Sequence, residues 1–179
     1  MIPLRIARRY ARALAEYTFT RREHETVRDE LHALAELFQE TPVLKDIFAH
    51  PVIPRAQKER ALQTVIERTQ VGRTTATFLY LLLKNYRLQH LDAIARAFAE
   101  EVDRRMGIVN VEVRTARPLL EEERQRLQRQ LEHMTGKRVR MREVVEERLL
   151  GGVQARLASE VYDGSLHARL EALRRQLLL

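Results

Sequence analysis

Three arginines at alternate positions, Arg138, Arg140 and Arg142, are the first residues whose type and spacing suggest a chemistry. On an extended strand they share one face, with Val139 and Met141 on the other, and a row of guanidiniums can engage phosphates of a nucleic acid. Paired carboxylates for acid/base work are offered by Glu121–Glu123 and by Glu146-Glu147. Their context also reads as a helix start, where acidic side chains suit the positive end of the dipole, and as a turn. The six histidines, His24, His32, His50, His90, His133 and His167, never form the i, i+4 pair around a glutamate that a zinc-protease helix needs. Gly136-Lys137 lacks the following Ser/Thr of a phosphate loop, since Arg138 stands there. No G-x-S-x-G elbow or G-x-G-x-x-G loop occurs, and there is no cysteine to act as nucleophile or thiolate ligand. The sequence therefore nominates no catalytic, cofactor-binding or metal-binding residue, and the chain reads as an interaction protein.

The charge pattern argues against the nucleic-acid alternative without removing it. Of 32 basic residues only Lys45, Lys58, Lys84 and Lys137 are lysines, against 25 acids. The excess is spread as +4 over residues 1–105 and +3 over 106–179, with no basic arm, whereas nucleic-acid binders concentrate charge on one face or tail. With 45% hydrophobic and 32% charged residues, the 179-residue chain has a globular composition and room for one ordinary domain or two small ones. The longest apolar run, Phe78 to Leu83, is far short of the roughly 20 residues a membrane span requires. Arg8-Arg9 is followed by no apolar export segment, so a cytoplasm-like compartment is expected.

The elements that must position any site fall into two regions. Residues 1–106 read as six short helices. Ile6, Tyr10, Ala13, Leu14 and Tyr17 recur at helical spacing, as do Val27, Leu31, Leu34, Ala35 and Phe38. Thr41-Pro42 breaks the second helix, Val43 to Ala49 makes a third, and Pro54 opens a fourth running to about Thr69. A fifth is expected from about Thr74 to Tyr86 and a sixth from His90 to Met106, ended by Gly107. Helix five is apolar from Ala76 to Leu83 except for Thr77, so it is either buried all round or keeps a second face for a partner.

Residues 107–179 change period and read as a small α+β domain. Ile108 to Arg114 alternates and is rich in β-branched residues, as a strand should be. A helix follows Pro118, with Leu127, Leu131 and Met134 as its apolar stripe and Gly136 at its end. Arg138 to Arg142 and Val153 to Leu157 read as further strands; Asp163-Gly164 is a turn signal, and Leu166, Leu170, Leu173 and Leu177 mark a closing amphipathic helix. The fold class expected is thus mainly α, a six-helix bundle followed by a small α+β domain.

Several segments in order then carry a resemblance: Arg9-Tyr10-Ala11-Arg12-Ala13-Leu14, Asn85-Tyr86-Arg87-Leu88, Thr115 to Leu119, Thr135 to Val139, Leu149-Leu150-Gly151-Gly152 and Asp163-Gly164-Ser165. The chain resembles the delta subunits of bacterial F-type ATP synthases, which are similar to the mitochondrial oligomycin sensitivity conferral protein. Where that family often reads V-D-P before its two-glycine turn, this chain has Val145-Glu146-Glu147, keeping an acid and losing the proline. The resemblance implies a non-catalytic subunit without cofactors, peripheral on the cytoplasmic face of the bacterial inner membrane. It would tie the peripheral stalk to the catalytic head so that the head does not spin with the central shaft. It implies that residues 1–106 bind the N-terminal helices of the alpha subunits in a groove between helices one and five. Tyr10 and Ala13 carry over as groove residues, and Thr77, Tyr80, Leu81 and Lys84 are chosen on helix five because they share one face by spacing. It also implies that residues 107–179 bind the b subunits of the stalk, with Gly151, Gly152, Leu166, Leu170 and Leu173 as the stalk-side choices.

Overall fold

A computed structural model describes residues 4–146, 149, 151–157 and 160–163. The chain divides into two compact units, Met1–Val102 and Asp103–Leu179. The protein is mainly helical with one small sheet.

In the first unit six helices follow one another: α1 (Leu4–Arg21), α2 (His24–Glu40), α3 (Pro42–Ala49), α4 (Arg55–Thr69), α5 (Arg73–Lys84) and α6 (Leu91–Arg105), with a single 3-10 turn at Leu88–His90. α2 packs on α1, α3 and α5, while α4 lies against α5. Leu31, Leu62, Leu79, Leu82, Ile94 and Phe98 are fully removed from water, each such side chain contributing roughly 2 kcal/mol of burial. The buried side of α1 is Ala7, Ala11, Leu14, Ala15 and Thr18, one position off the stripe expected from its larger residues. Small side chains let α1 lie close to its neighbours, which leaves Ile6 and Tyr10 half-buried and turns Ala13 and Tyr17 outward.

Glu30 of α2 fixes the start of α5. One carboxylate oxygen accepts the Gly72 N–H at 2.8 Å, and the other accepts the hydroxyl of Thr75, which is fully buried. A carboxylate there also meets the positive end of the α5 dipole. Glu23 does the same for the Thr74 hydroxyl at 2.6 Å. α5 stops at Lys84, two residues before the expected end, because Tyr86 takes a left-handed φ of 55° and the Arg87 N–H closes on the Leu82 carbonyl at 2.8 Å.

The second unit holds β1 (Ile108–Thr115), α7 (Glu121–Thr135), β2 (Arg138–Val145), β3 (Val153–Leu157) and β4 (Glu160–Asp163). The sheet order is β2-β1-β3-β4, with β1 and β2 parallel and the other pairs antiparallel. β4 had no signal in the sequence: it is four residues long, and the Ala158-Ser159 step before it lacks the Asn-Gly or Gly-x pair that marks a two-residue turn. Val111, Val113, Val139 and Ala155 form the buried face together with Leu131 of α7, and Leu127 packs against them. Met134, expected on the same stripe, is 61% exposed. The edge strand β2 is closed at Val139, whose carbonyl accepts Gln128 Nε2 at 3.2 Å and whose N–H donates to Glu132 Oε1 at 3.1 Å. Side chains of α7 thus stand in for a missing neighbouring strand.

Candidate docking surfaces

In the first unit α1 and α5 come alongside at two places. The ring of Tyr10 meets Phe78 edge-on, at 6.4 Å between centroids and 68° between planes. Tyr17 and Arg21 of α1 line a cleft of about 560 Å³ together with Thr77, Arg73 and the Glu30 contact at Gly72. The guanidinium of Arg21 lies 4.6 Å over the Tyr17 ring, a cation–π contact that holds the ring in place. Ala13 lies on the same side of α1, one turn from each tyrosine, and is exposed.

On α5 the exposed face is Thr77, Tyr80, Leu81 and Lys84, while Phe78, Leu79, Leu82 and Leu83 are buried. Tyr80 is 40% and Leu81 46% exposed. The two readings left open by the apolar run of α5 are therefore separated: α5 is not buried all round. Thr77 spends its hydroxyl on the Arg73 carbonyl at 2.8 Å, so what it presents outward is largely its methyl group. Tyr17 belongs to this surface but was missing from the sequence choice. Its signal is the seven-residue step from Tyr10, which the expected buried stripe had absorbed.

In the second unit β2 alternates, with Arg138, Arg140 and Arg142 exposed and Val139 buried. The three are not equivalent. Arg140 is held by Asp103, while Arg138 and Arg142 have no ion-pair partner among the described residues. Asp103, the acid that singles out the central arginine, carries no sequence signal beyond its place near the end of α6.

The entry to α7 is a small ionic lattice. Arg117 makes two bonds to Glu123, at 3.0 and 2.7 Å, and Glu123 also accepts the Leu120 N–H at 2.9 Å. Glu143 accepts the Leu119 N–H at 2.7 Å and Arg124 Nη2 at 2.9 Å. Hydrogen bonding to Arg117 holds the Glu123 carboxyl below the usual carboxylate value, with Leu120 adding to it. The Leu119 N–H does the same for Glu143, against some desolvation. Glu123 and Glu143 are thus committed to the fold, while Glu121 and Glu122 stand exposed in the first turn of α7, where acidic side chains suit the helix dipole. Glu146 bonds Arg114 at 3.3 Å, and Glu147 lies outside the described residues.

Of the stalk-side choices, Gly151 is half-buried and Gly152 exposed, in the connection between β2 and β3. Gly152 has a φ of 85°, which only glycine adopts readily. Leu166, Leu170 and Leu173 lie outside the described residues. Among the described residues no group of three or more His, Asp or Glu gathers as a metal site would need, and no helix is long and apolar enough to cross a membrane.

Comparison with known proteins places the chain in a family. A family model described as the ATP synthase delta (OSCP) subunit matches residues 6–177. The chain is 36% identical over 179 residues to ATP synthase subunit delta of Myxococcus xanthus, covering 99% of this chain and 98% of that protein. It is 34% identical over 173 residues to ATP synthase subunit delta of Symbiobacterium thermophilum, covering 97% and 92%. In fold it is similar to a chain of the Toxoplasma gondii mitochondrial ATP synthase hexamer, with a TM-score of 0.68 at 22% identity and 97% of each chain covered. With residues 6–177 matched by the family model and nearly all of the chain aligned to these relatives, the chain belongs to the ATP synthase delta (OSCP) subunit family.

Proposed function

We propose that the protein is the non-catalytic stator subunit of an F-type ATP synthase, joining the peripheral stalk to the top of the catalytic head. In this reading the six helices work as a bundle whose α1/α5 surface takes the amphipathic N-terminal helix of an alpha subunit. The second unit takes the b subunits, at the cytoplasmic face of the bacterial inner membrane. The subunit resists rotation of the head during proton-driven ATP synthesis and makes no bond of its own.

The observation that carries this reading is the exposure of Tyr80 and Leu81 on a helix whose other sides are buried, beside exposed Tyr17 and Ala13. Tyr80 and Leu81 on α5, with Tyr17 one turn from Ala13 on α1, offer the walls of a groove for a third helix. Tyrosines supply rigid contact area at low entropic cost, and alanine between them admits close approach. A nucleic-acid role has no support here: the relatives are ATP synthase subunits, and the central arginine of the proposed row is engaged by Asp103.

The test is calorimetric titration of the full chain with a peptide of the same organism's alpha-subunit N-terminal helix. One-to-one binding at micromolar affinity or better is expected, with little dependence on salt. Ala13→Asp should weaken it by at least about tenfold, about 1.4 kcal/mol, with unchanged thermal stability because Ala13 is exposed. Equal binding by wild type and Ala13→Asp would remove the groove from the reading.

A further inference from the structure

The sheet face opposite α7 is charged, and among the described side chains not all of its charges are paired. Register places Arg142 of β2 and Arg156 of β3 directly across from Glu112 of β1, one on each side. Glu112 is already spent on Arg114, which it meets at 2.9 Å, and Arg114 reaches on to Glu146 at 3.3 Å. Arg140 is spent on Asp103. With those pairs set aside, Arg138, Arg142 and Arg156 remain, all exposed and none with an ion-pair partner among the described residues.

We propose that this open face seats an acid-rich helical segment of the peripheral-stalk polypeptide, with Arg142 and Arg156 each meeting a carboxylate. The inference rests on the stator reading and adds the chemistry of its second contact. Two strand spacings separate Arg142 from Arg156, roughly 10 Å. Acids seven residues apart on one helix face are about 10.5 Å apart, so one helix crossing the strands reaches both. Arginine suits the task because its planar fork bonds a carboxylate at two points and stays charged at any physiological pH. Ordering two exposed arginines costs entropy, which the two-point bonds to carboxylates must offset. Repulsion between like charges around a single carboxylate is relieved only when further acids arrive, which favours an acidic partner over an apolar one.

The experiment titrates the full chain with the soluble, dimeric portion of the same organism's b subunit, between about 0.05 and 0.5 M salt, a range over which the screening length falls severalfold. Wild-type affinity should drop by about tenfold or more across that range. The double variant Arg142→Glu/Arg156→Glu should bind at least about tenfold more weakly at low salt, and Arg142→Gln/Arg156→Gln should lie between. Both variants should bind the alpha-subunit peptide as wild type does and keep the amide protection of β1 and α7, which shows that both units are folded. Wild-type affinity for b in the reversed variant would overturn the arginine seat and leave the stator reading standing. Failure of wild type to bind b at any salt would overturn both.

Discussion

Asp103 and Arg140 meet through one guanidinium nitrogen placed between two carboxylate oxygens, with Nη1 at 2.8 Å from Oδ1 and 2.9 Å from Oδ2. The Asp103 side chain is 5% exposed and that of Arg140 48%. Asn110 Nδ2 adds a third bond at 2.7 Å. A buried carboxylate is tolerated only when its lone pairs are filled by donors, so Arg140 is a structural residue first.

The three strand arginines should therefore differ when removed singly. Arg140→Ala leaves a buried carboxylate with one described donor and should cost about 2–3 kcal/mol of unfolding free energy. Arg142→Ala should stay within about 0.5 kcal/mol of wild type. Urea unfolding of the two variants checks this, and equal midpoints would show that the ion pair contributes nothing.

Glu30 predicts an effect on both stability and docking. Glu30→Ala strips the Gly72 N–H and the buried Thr75 hydroxyl of their acceptor, at about 2–3 kcal/mol. Because α5 is held at that end, affinity for the alpha-subunit peptide should fall as well, although Glu30 belongs to α2. Glu30→Gln, which keeps one acceptor oxygen, should recover part of both losses. Melting curves and calorimetry on the same samples give the two readouts.

Three helix ends carry left-handed residues where glycine is cheaper, the first being Arg22 after α1 with φ 59°. Gln70 has φ 50° and Tyr86 φ 55°. Gln70→Gly should raise stability by about 0.5 kcal/mol, the relief of strain exceeding the entropy glycine brings to the unfolded chain. Gly72→Ala should not: its φ of −62° needs no glycine, and the new Cβ would stand 3.3 Å from Glu30 Oε1. Thermal melts of the two variants should move in opposite directions or leave Gly72→Ala unmoved.

Acid should weaken the second unit through Glu123 and Glu143. Both carboxyls are held below their usual value in the folded chain, Glu123 chiefly by Arg117 and Glu143 chiefly by the Leu119 N–H. The unfolded chain then binds protons that the folded chain refuses, so stability rises with pH in that window. The contribution is complete above the ordinary glutamate value of 4.5 and is lost as pH falls through the lowered folded values. Amide exchange of α7 amides followed from pH 6 down to about 3 should show this loss, and Glu143→Gln should flatten part of it.

What the sequence determined by itself is periodic. The 3.6-residue spacing of apolar side chains marks α1, α2 and α6, prolines mark the starts of α3 and α4, and the alternation of Ile108–Arg114 and Arg138–Arg142 marks β1 and β2. These patterns survive because each buries one face whatever its neighbour is. Tertiary structure decided which neighbour. It set the buried side of α1 on alanines and Thr18, because close packing against α2 favours small residues, and so turned Tyr17 out to the cleft. It left Tyr80 and Leu81 exposed in a run that spacing alone could not divide. It chose Arg140 from three like residues by bringing up Asp103, 37 positions away in the chain. Hydrogen bonds such as Glu30 to Gly72, 42 positions apart, have no period at all. They depend on where two helices end in space, and a linear pattern holds no record of that.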